Sequence, residues 1–371
     1  MGKVSKRIIQ IPFKYITGQV YNKLSQGDEK GFLYYSAFLP LYLLSLLYGI
    51  GVRFRFFLYR VGLFKVRRLG CKVISIGNIT VGGSGKTPMT IFLAEKLKEK
   101  GKKVVILSRG YKGKIKDIGV VSDGNNIILS PEDAGDEPYL MAAKLKTIPV
   151  IVGRDRYMTG LYAIERFKPD VIILDDGFQH IRLYRDMDIV LIDLRKGFGN
   201  GHLFPLGILR EPLKGLKRAS VLMIKGNELE ITNYELRITN LKKQNKPFIL
   251  FNYKPQAIIN LVDGSRLSVD ILKGKKVVAL SGIAEPKSFK HTLEKLGASV
   301  IKEIALPDHY AYTHKDVQII AREAEGADMV ITTMKDAVKL KSFSIEYLPI
   351  YALDIEVEIE NSEIFEKVAV Q

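Results

Sequence analysis

Val73-Ile74-Ser75-Ile76-Gly77-Asn78-Ile79-Thr80-Val81-Gly82-Gly83-Ser84-Gly85-Lys86-Thr87-Pro88 is the stretch that decides how this chain is read. Val73, Ile74 and Ile76 form a short apolar run without helical period, as in a strand buried on both faces. A glycine-rich turn ending in Gly-Lys-Thr follows. Glycines let successive backbone N–H groups close around phosphate oxygens, and a helix N-terminus adds partial positive charge. Thr80, Val81, Gly82, Gly83, Ser84, Gly85, Lys86 and Thr87 are therefore the expected nucleotide-binding residues. Lys86 would reach the β- and γ-phosphates, and the Thr87 hydroxyl would ligate Mg²⁺. The spacing is irregular, because Thr80 stands where the common pattern has its first glycine. A chance Gly-Ser-Gly-Lys-Thr turn is the competing reading, and the flanking residues argue against it.

Pro88 suits a helix start. Met89, Phe92, Leu93 and Leu97 then recur at helical spacing, and Gly101 is a plausible stop. The run from Lys103 to Leu107 predicts the next strand, leading into Ser108-Arg109-Gly110-Tyr111. Strand, loop, helix and strand make a βαβ unit, so a parallel sheet with helices on its faces is expected.

The 371 residues are enough for two folded domains and an appendage. The single Cys71 excludes an intramolecular disulfide and a cysteine-based zinc site, as expected in a reducing cytoplasm. A formal charge of +17 calls for an anionic partner. Arg53, Arg55, Arg60, Lys65, Arg67, Arg68 and Lys72 occur without an acidic residue among them, directly after the uncharged run Phe32 to Val52. An apolar run followed by a polybasic one suits an anionic membrane surface, where each basic residue contributes about 1 kcal/mol. Pro40, Gly49, Gly51 and several tyrosines suit an interfacial helix better than a span. A true span and a helix packed on a soluble core are the alternatives. No nucleic-acid motif accompanies the charge, and no obligate protein partner is implied.

Val171-Ile172-Ile173-Leu174 followed by Asp175-Asp176-Gly177-Phe178-Gln179-His180 is a second buried strand, ending in carboxylates. In a P-loop fold an Asp at such a strand end holds the Mg²⁺ that bridges the phosphates. A solvated acidic loop is the plain alternative. Arg154 and Arg156, in Val152-Gly153-Arg154-Asp155-Arg156, are phosphate-grip candidates because guanidinium forks bind phosphate bidentately. A surface ion pair with Asp155 is the other reading. The residues alone do not assign Gln179 or His180, and do not single out Asp136 among the acids between 117 and 137.

Six segments occur in order: Gly77 to Pro88, Ser108 to Tyr111, Gly135-Asp136-Glu137-Pro138, Asp175 to His180, Leu209-Arg210-Glu211-Pro212 and Pro307-Asp308-His309-Tyr310. Together they resemble the tetraacyldisaccharide 4′-kinase family, the membrane-associated lipid A kinases of Gram-negative bacteria, over about residues 30–355. The resemblance absorbs the irregular loop, because the family carries Thr-Val-Gly-Gly there. It implies transfer of the ATP γ-phosphoryl to the 4′-hydroxyl of an acylated glucosamine disaccharide 1-phosphate, forming the lipid A precursor lipid IVA. It further implies Asp136 and His309 as the catalytic pair, and Thr87, Asp175, Asp176 and Glu211 as Mg²⁺-side residues. Arg109, Tyr111, Arg156, Gln179 and His180 are the implied substrate contacts. ATP and Mg²⁺ are the implied cofactors, and the cytoplasmic face of the inner membrane the implied site, with peripheral or monotopic attachment. Ile208 and Met334 depart from the family pattern without touching an inferred catalytic atom.

Beyond Phe251 the texture changes. Ala257 to Val262, Asp263-Gly264 and Arg266 to Ile271 predict a hairpin. Strands over 276–281, 299–304 and 329–332, with helices over 286–296 and 314–325, predict a smaller α/β layer. The expected fold class is thus α/β: a P-loop kinase-type parallel-sheet domain with an N-terminal membrane-associating helix and a second, smaller α/β domain joined by a β-hairpin linker. The expected boundaries are 1–64 for the basic extension and helix, 65–250 for the nucleotide domain, 251–275 for the linker and 276–371 for the second domain. The catalytic pair would then meet only on domain closure. A membrane-associated P-loop ATPase or GTPase without a lipid acceptor is the rival enzyme, and a membrane-docked nucleotide-binding scaffold the non-enzymatic rival.

Overall fold

The computed structural model describes residues 32–226 and 246–370. The sequence readings for 1–31 and 227–245 lie outside the described residues. The chain divides into two units: one takes residues up to 64 together with 198–214, the other 65–197 together with 215–371.

The first unit is built on helix α1, Phe32–Arg60. It runs unbroken through Pro40, Gly49 and Gly51, where the sequence suggests interruption. Pro40 removes one backbone donor from the ladder, and helical neighbours on both sides carry the chain past it. Gly49 has a packing reason: a Cβ there would meet Leu203 Cδ1 at 2.9 Å. On the same side, Ser45 Oγ donates to the Leu203 carbonyl at 2.8 Å, and the Tyr48 hydroxyl to that of Arg210 at 2.7 Å. Leu39, Leu43, Leu47, Ile50, Phe54 and Phe57 are all exposed. Their spacing of three and four residues lines them along one helix face.

The second unit is organised by one 13-stranded sheet. Its elements are β1 (Lys72–Gly77), α2 (Lys86–Glu99), β2 (Val104–Ser108), β3 (Gly119–Ser122), α3 (Pro131–Ala134), α4 (Asp136–Lys144), β4 (Val150–Val152), α5 (Arg156–Phe167), β5 (Val171–Asp175), β6 (Met187–Asp193), β7 (Val221–Lys225), β8 (Phe248–Asn260), β9 (Arg266–Leu267), β10 (Lys276–Ser281), α6 (Pro286–Lys295), β11 (Ser299–Ala305), α7 (His314–Glu323), β12 (Met329–Thr333), α8 (Met334–Leu340), β13 (Ile350–Ile359) and α9 (Ser362–Phe365). The strand order is β11-β10-β12-β13-β8-β7-β6-β1-β5-β2-β4-β3, with β9 beside β8.

Two parallel blocks meet in this sheet. From β4 to β8 neighbouring strands run parallel, and so do β10 to β13. The blocks join antiparallel where β8 pairs with β13, from Tyr351 opposite Asn260 to Ile359 opposite Phe251. The expected hairpin is the β8–β9 pair around Asp263-Gly264. The sheet runs through it without a break.

Alternate residues of the parallel strands feed two buried layers. Ile74, Ile76, Ile106 and Ile173 pack with Met89, Leu93 and Leu97 of α2. Val73, Val105, Leu107 and Ile172 pack on the opposite face with Ala163 of α5. Each such side chain contributes roughly 1.5–3 kcal/mol on full burial. The consequence for function is positional. β1, β2, β4, β5 and β6 all release their following loops at the same edge, the C-terminal edge where α/β sheets place ligand sites.

Candidate active site

The loop between β1 and α2 is shaped by contacts on its backbone. Gly85 is the residue before α2 and has φ +77°, a left-handed conformation that a side chain resists. A Cβ there would lie 1.7 Å from the Tyr253 hydroxyl, which donates to the Gly85 carbonyl at 2.8 Å. The Gly83 carbonyl accepts from Lys196 Nζ at 3.0 Å, and Lys196 is also paired with Glu285 at 2.6 Å. Lys86 Nζ lies 3.4 Å from Asn78 Oδ1 and 3.6 Å from Asp176 Oδ1. Gln179 Nε2 donates to the Asn78 carbonyl at 2.8 Å, tying the β5 loop to the β1 loop. Ser84 Oγ is buried and has no hydrogen-bond partner among the described residues. A buried hydroxyl without a partner, in a glycine-rich loop leading into a helix N-terminus, is the pattern expected where a phosphate docks.

Asp175 is buried behind this loop. Its carboxylate accepts from Thr90 Oγ1 at 3.4 Å and Ser108 Oγ at 3.1 Å. Burial pushes its pKa well above the usual carboxylate range, with Glu137 and Asp176 adding to the rise and Lys86 opposing it. Thr87 stands one helical turn before Thr90 on α2 and is also buried. Among the described residues no group of three or more His, Cys, Asp or Glu could hold a metal by itself. Mg²⁺ is commonly held by one or two carboxylates together with waters and substrate phosphates. The oxygens of Asp175 and Thr87 fit that role, and a cation beside Asp175 would offset the cost of its buried charge. Glu211, the fourth expected metal-side residue, lies in the first unit on the Leu209–Pro212 segment and is buried.

Arg156 opens α5 and is almost fully buried. Burial pulls its pKa down to about 10, with Asp175 opposing, so it remains a cation at neutral pH. It donates to the Gly153 carbonyl, while its Nε has no partner among the described residues. Arg154 carries no such burial, so of the two arginines Arg156 is the one set into the structure. Arg109 is exposed on the neighbouring loop. That loop is pressed against the turn before α4: a Cβ on Gly135 would meet the Tyr111 carbonyl at 2.7 Å, and one on Gly113 the Asp133 carbonyl at 2.5 Å.

Asp136 and His309 are in contact, with His309 Nδ1 at 3.3 Å from Asp136 Oδ2 across 173 residues of sequence. The sequence predicts a meeting only on domain closure, whereas the two side chains already touch in this structure. The Tyr111 ring stands edge-on to the His309 ring at 5.4 Å between centroids. His309 has φ +61°, in the left-handed region that few non-glycine residues adopt, and its carbonyl accepts from Lys112 Nζ at 3.1 Å. Burial alone would raise the Asp136 pKa, but the His309 hydrogen bond and the Lys339 charge outweigh it and hold the carboxyl below its ordinary range.

These residues occupy one charge field. Glu137 raises Asp175 from one side and pairs with Lys335 at 3.4 Å on the other. Comparison with known proteins identifies the family. A family described as Tetraacyldisaccharide-1-P 4′-kinase matches residues 37–370. The chain belongs to this family. A tetraacyldisaccharide 4′-kinase of Syntrophus aciditrophicus is 42% identical over 339 residues, covering 88% of this chain and 91% of the relative. One from Geobacter sulfurreducens is 38% identical over 91% of this chain and 94% of its own length. A crystal structure of the family member LpxK from Aquifex aeolicus in complex with ATP superposes with a TM-score of 0.72 at 38% identity, covering 90% of this chain and 97% of that one. The chain is therefore a kinase of the tetraacyldisaccharide 4′-kinase family with that family's α/β fold.

Several neighbours of the site escape the sequence reading. Asn78, Thr90 and Ser108 hold Lys86 and Asp175 without belonging to any motif role. Ser108 carried a signal, as a hydroxyl at the end of a buried strand beside Arg109. Lys335 and Lys339, which face His309 and Asp136, carried none: lysines on a short helix usually read as a solvated face.

Proposed function

We propose that this chain transfers the γ-phosphoryl group of ATP to the 4′-hydroxyl of an acylated glucosamine disaccharide 1-phosphate at the cytoplasmic face of the bacterial inner membrane, forming lipid IVA. The observation that carries the reading is the Asp136–His309 contact, which offers an ionised carboxylate oriented by an imidazole to an acceptor hydroxyl in a chain of the tetraacyldisaccharide 4′-kinase family.

Asp136 is the general base. Its lowered pKa keeps it ionised at neutral pH, and Oδ1 is left to accept the hydroxyl proton while Oδ2 faces His309. As the 4′-oxygen bonds to the γ-phosphorus, the bond to the β-phosphate oxygen breaks, ADP leaves, and the proton passes to Asp136 and then to water. A positioned base of this kind contributes roughly 10²–10⁴-fold. Lys86 and the loop N–H groups hold the β- and γ-phosphate oxygens, while Arg109 and Arg156 grip phosphate on the acceptor side. Tyr111, Gln179 and His180 complete the acceptor walls. Thr87, Asp175 and Asp176 would hold Mg²⁺, with Glu211 added to that set by the family resemblance alone, and the ion would supply positive charge against the charge developing on the phosphoryl oxygens.

The exposed apolar face of α1 and the basic residues that follow it support docking on an anionic leaflet. The helix also has a 23-residue stretch, Phe38–Arg60, long and apolar enough to cross a membrane by composition. Exposed Arg53, Arg55 and Arg60 within its last turns favour interfacial attachment. Residues 65–250 serve as the nucleotide portion and 276–371 as the portion that brings His309.

The reading is tested by ADP release from purified protein in detergent, with and without a tetraacyldisaccharide 1-phosphate acceptor. Acceptor-dependent release is expected. Equal release without acceptor would favour a membrane-associated ATPase.

A further inference from the structure

Helix α8 presents two lysines to the Asp136–His309 pair. Lys335 and Lys339 are four residues apart and share one helical face. Lys335 is largely buried, and its Nζ has three partners: His309 Nε2 at 3.0 Å, Asp308 Oδ1 at 2.9 Å and Glu137 Oε1 at 3.4 Å. Lys339 stands behind Asp136 at 3.7 Å, held by Asp336 at 3.0 Å and by the Tyr310 carbonyl at 3.0 Å.

An ammonium group has three donors and no acceptor. The three partners of Lys335 must therefore all accept, and one of them is an imidazole nitrogen. A nitrogen that accepts carries no proton. The single proton of a neutral His309 ring then sits on Nδ1, the nitrogen that faces Asp136. The opposite tautomer would set an N–H against the ammonium and a lone pair against the carboxylate, which is unfavourable at both ends.

We propose that Lys335 is a positioning residue that fixes His309 as its Nδ1–H tautomer, so that the ring donates to Asp136 and leaves the second carboxylate oxygen free for the acceptor hydroxyl. Lys335 remains charged in this role. Burial lowers its pKa, but the Glu137 and Asp308 carboxylates more than restore it. The charged and titratable groups around the ring are Asp136, Glu137, Asp308, Lys335 and Tyr111, with Lys112 on the backbone carbonyl. The Tyr111 ring, edge-on at 5.4 Å, adds a packing contact that holds the imidazole in this orientation. The catalytic consequence rests on the kinase reading above; the tautomer does not.

The test is ring-¹⁵N NMR of the full chain in detergent with labelled histidine. The chain has five histidines, and His309→Gln identifies the signal of interest. Wild type is expected to show a protonated Nδ1 and an unprotonated Nε2. Lys335→Met should move the proton to Nε2 or add a second proton, and Lys335→Arg should restore the wild-type pattern. In turnover, Lys335→Met should lower kcat by roughly 10–100-fold, less than loss of the base itself, with KM for ATP unchanged. A protonated Nε2 in wild type overturns the proposal, and this arm decides even if Lys335→Met fails to fold. An unchanged spectrum in a folded, ATP-binding Lys335→Met protein overturns it as well. A Lys335-dependent Nδ1–H signal in a protein that never phosphorylates the lipid would leave the inference standing and the proposed function refuted.

Discussion

The nucleotide loop and the Asp136–His309 pair are built in opposite ways. The loop is contiguous, Thr80 to Thr87, and its form comes from backbone: a left-handed Gly85, a carbonyl held by Tyr253 and another held by Lys196. The pair joins residues 173 apart, and its form comes from charged side chains on α4, the β11–α7 loop and α8. The first should be sensitive to added volume and altered backbone freedom. The second should be sensitive to added or removed charge. Each prediction below separates the two.

The largest effects come from removing the central groups. Asp136→Ala should slow phosphoryl transfer by about 10²–10⁴-fold, as for a general base, while a fluorescent ATP analogue binds as in wild type. Lys86→Ala should slow transfer by about 10²–10³-fold, as for loss of one charge-stabilising donor, and should weaken analogue binding as well. If both variants bind nucleotide equally poorly, the division between loop and pair is wrong.

Gly85→Ala comes next. It forces a side chain into a left-handed conformation costing about 1–2 kcal/mol and drives it into Tyr253. Thermal denaturation should show a loss above that figure together with weaker nucleotide binding. Tyr253→Phe loses only the hydrogen bond to Gly85, about 0.5–1.5 kcal/mol. A Gly85→Ala protein as stable as Tyr253→Phe would contradict the close approach.

Asp175→Asn sharpens the contrast between stability and activity. The buried carboxylate has a raised pKa, so ionising it costs folding free energy at neutral pH. Removing the charge should leave the unliganded protein at least as stable in a thermal melt while abolishing Mg²⁺-dependent turnover. A marked drop in melting temperature would count against this account of Asp175.

The smallest effect concerns pH. Asp136 has a folded-state pKa below its unfolded value, so its stabilising contribution is present above about pH 4, the ordinary carboxylate value, and is lost as pH falls through the folded pKa. Asp136→Asn should therefore melt below wild type at pH 7, with the gap closing in acid. A gap unchanged at pH 3 would mean that the carboxylate charge is not what His309 and Lys339 stabilise.

The same contrast governs what the sequence made legible. The β1 strand, the glycine loop and α2 lie within thirty residues and declare themselves by local pattern. The hairpin and the strands β10 to β12 were readable for the same reason. The antiparallel junction of β8 and β13 was not, because it pairs Phe251 with Ile359, and local periodicity says nothing about partners so far apart. Phe251, where the composition changes, is fully buried inside β8. Composition tracks exposure, not pairing. At the site, Lys86 could be argued from the glycine loop and helix start, and Asp175 and Asp176 from their place at a strand end. Asp136 and His309 came only with the family resemblance, and Lys335 and Lys339 with neither. A charged pair across distant loops leaves no spacing signature for sequence to carry.

The most direct test of the account follows the phosphate itself. Purified protein in detergent is given γ-labelled ATP, Mg²⁺ and tetraacyldisaccharide 1-phosphate, and the lipid is recovered for mass analysis. The account predicts one labelled phosphate on the 4′-oxygen, matched by one ADP, and its loss in Asp136→Ala without loss of ATP binding. ATP consumed with no label on the lipid, or label transferred undiminished by Asp136→Ala, would contradict it.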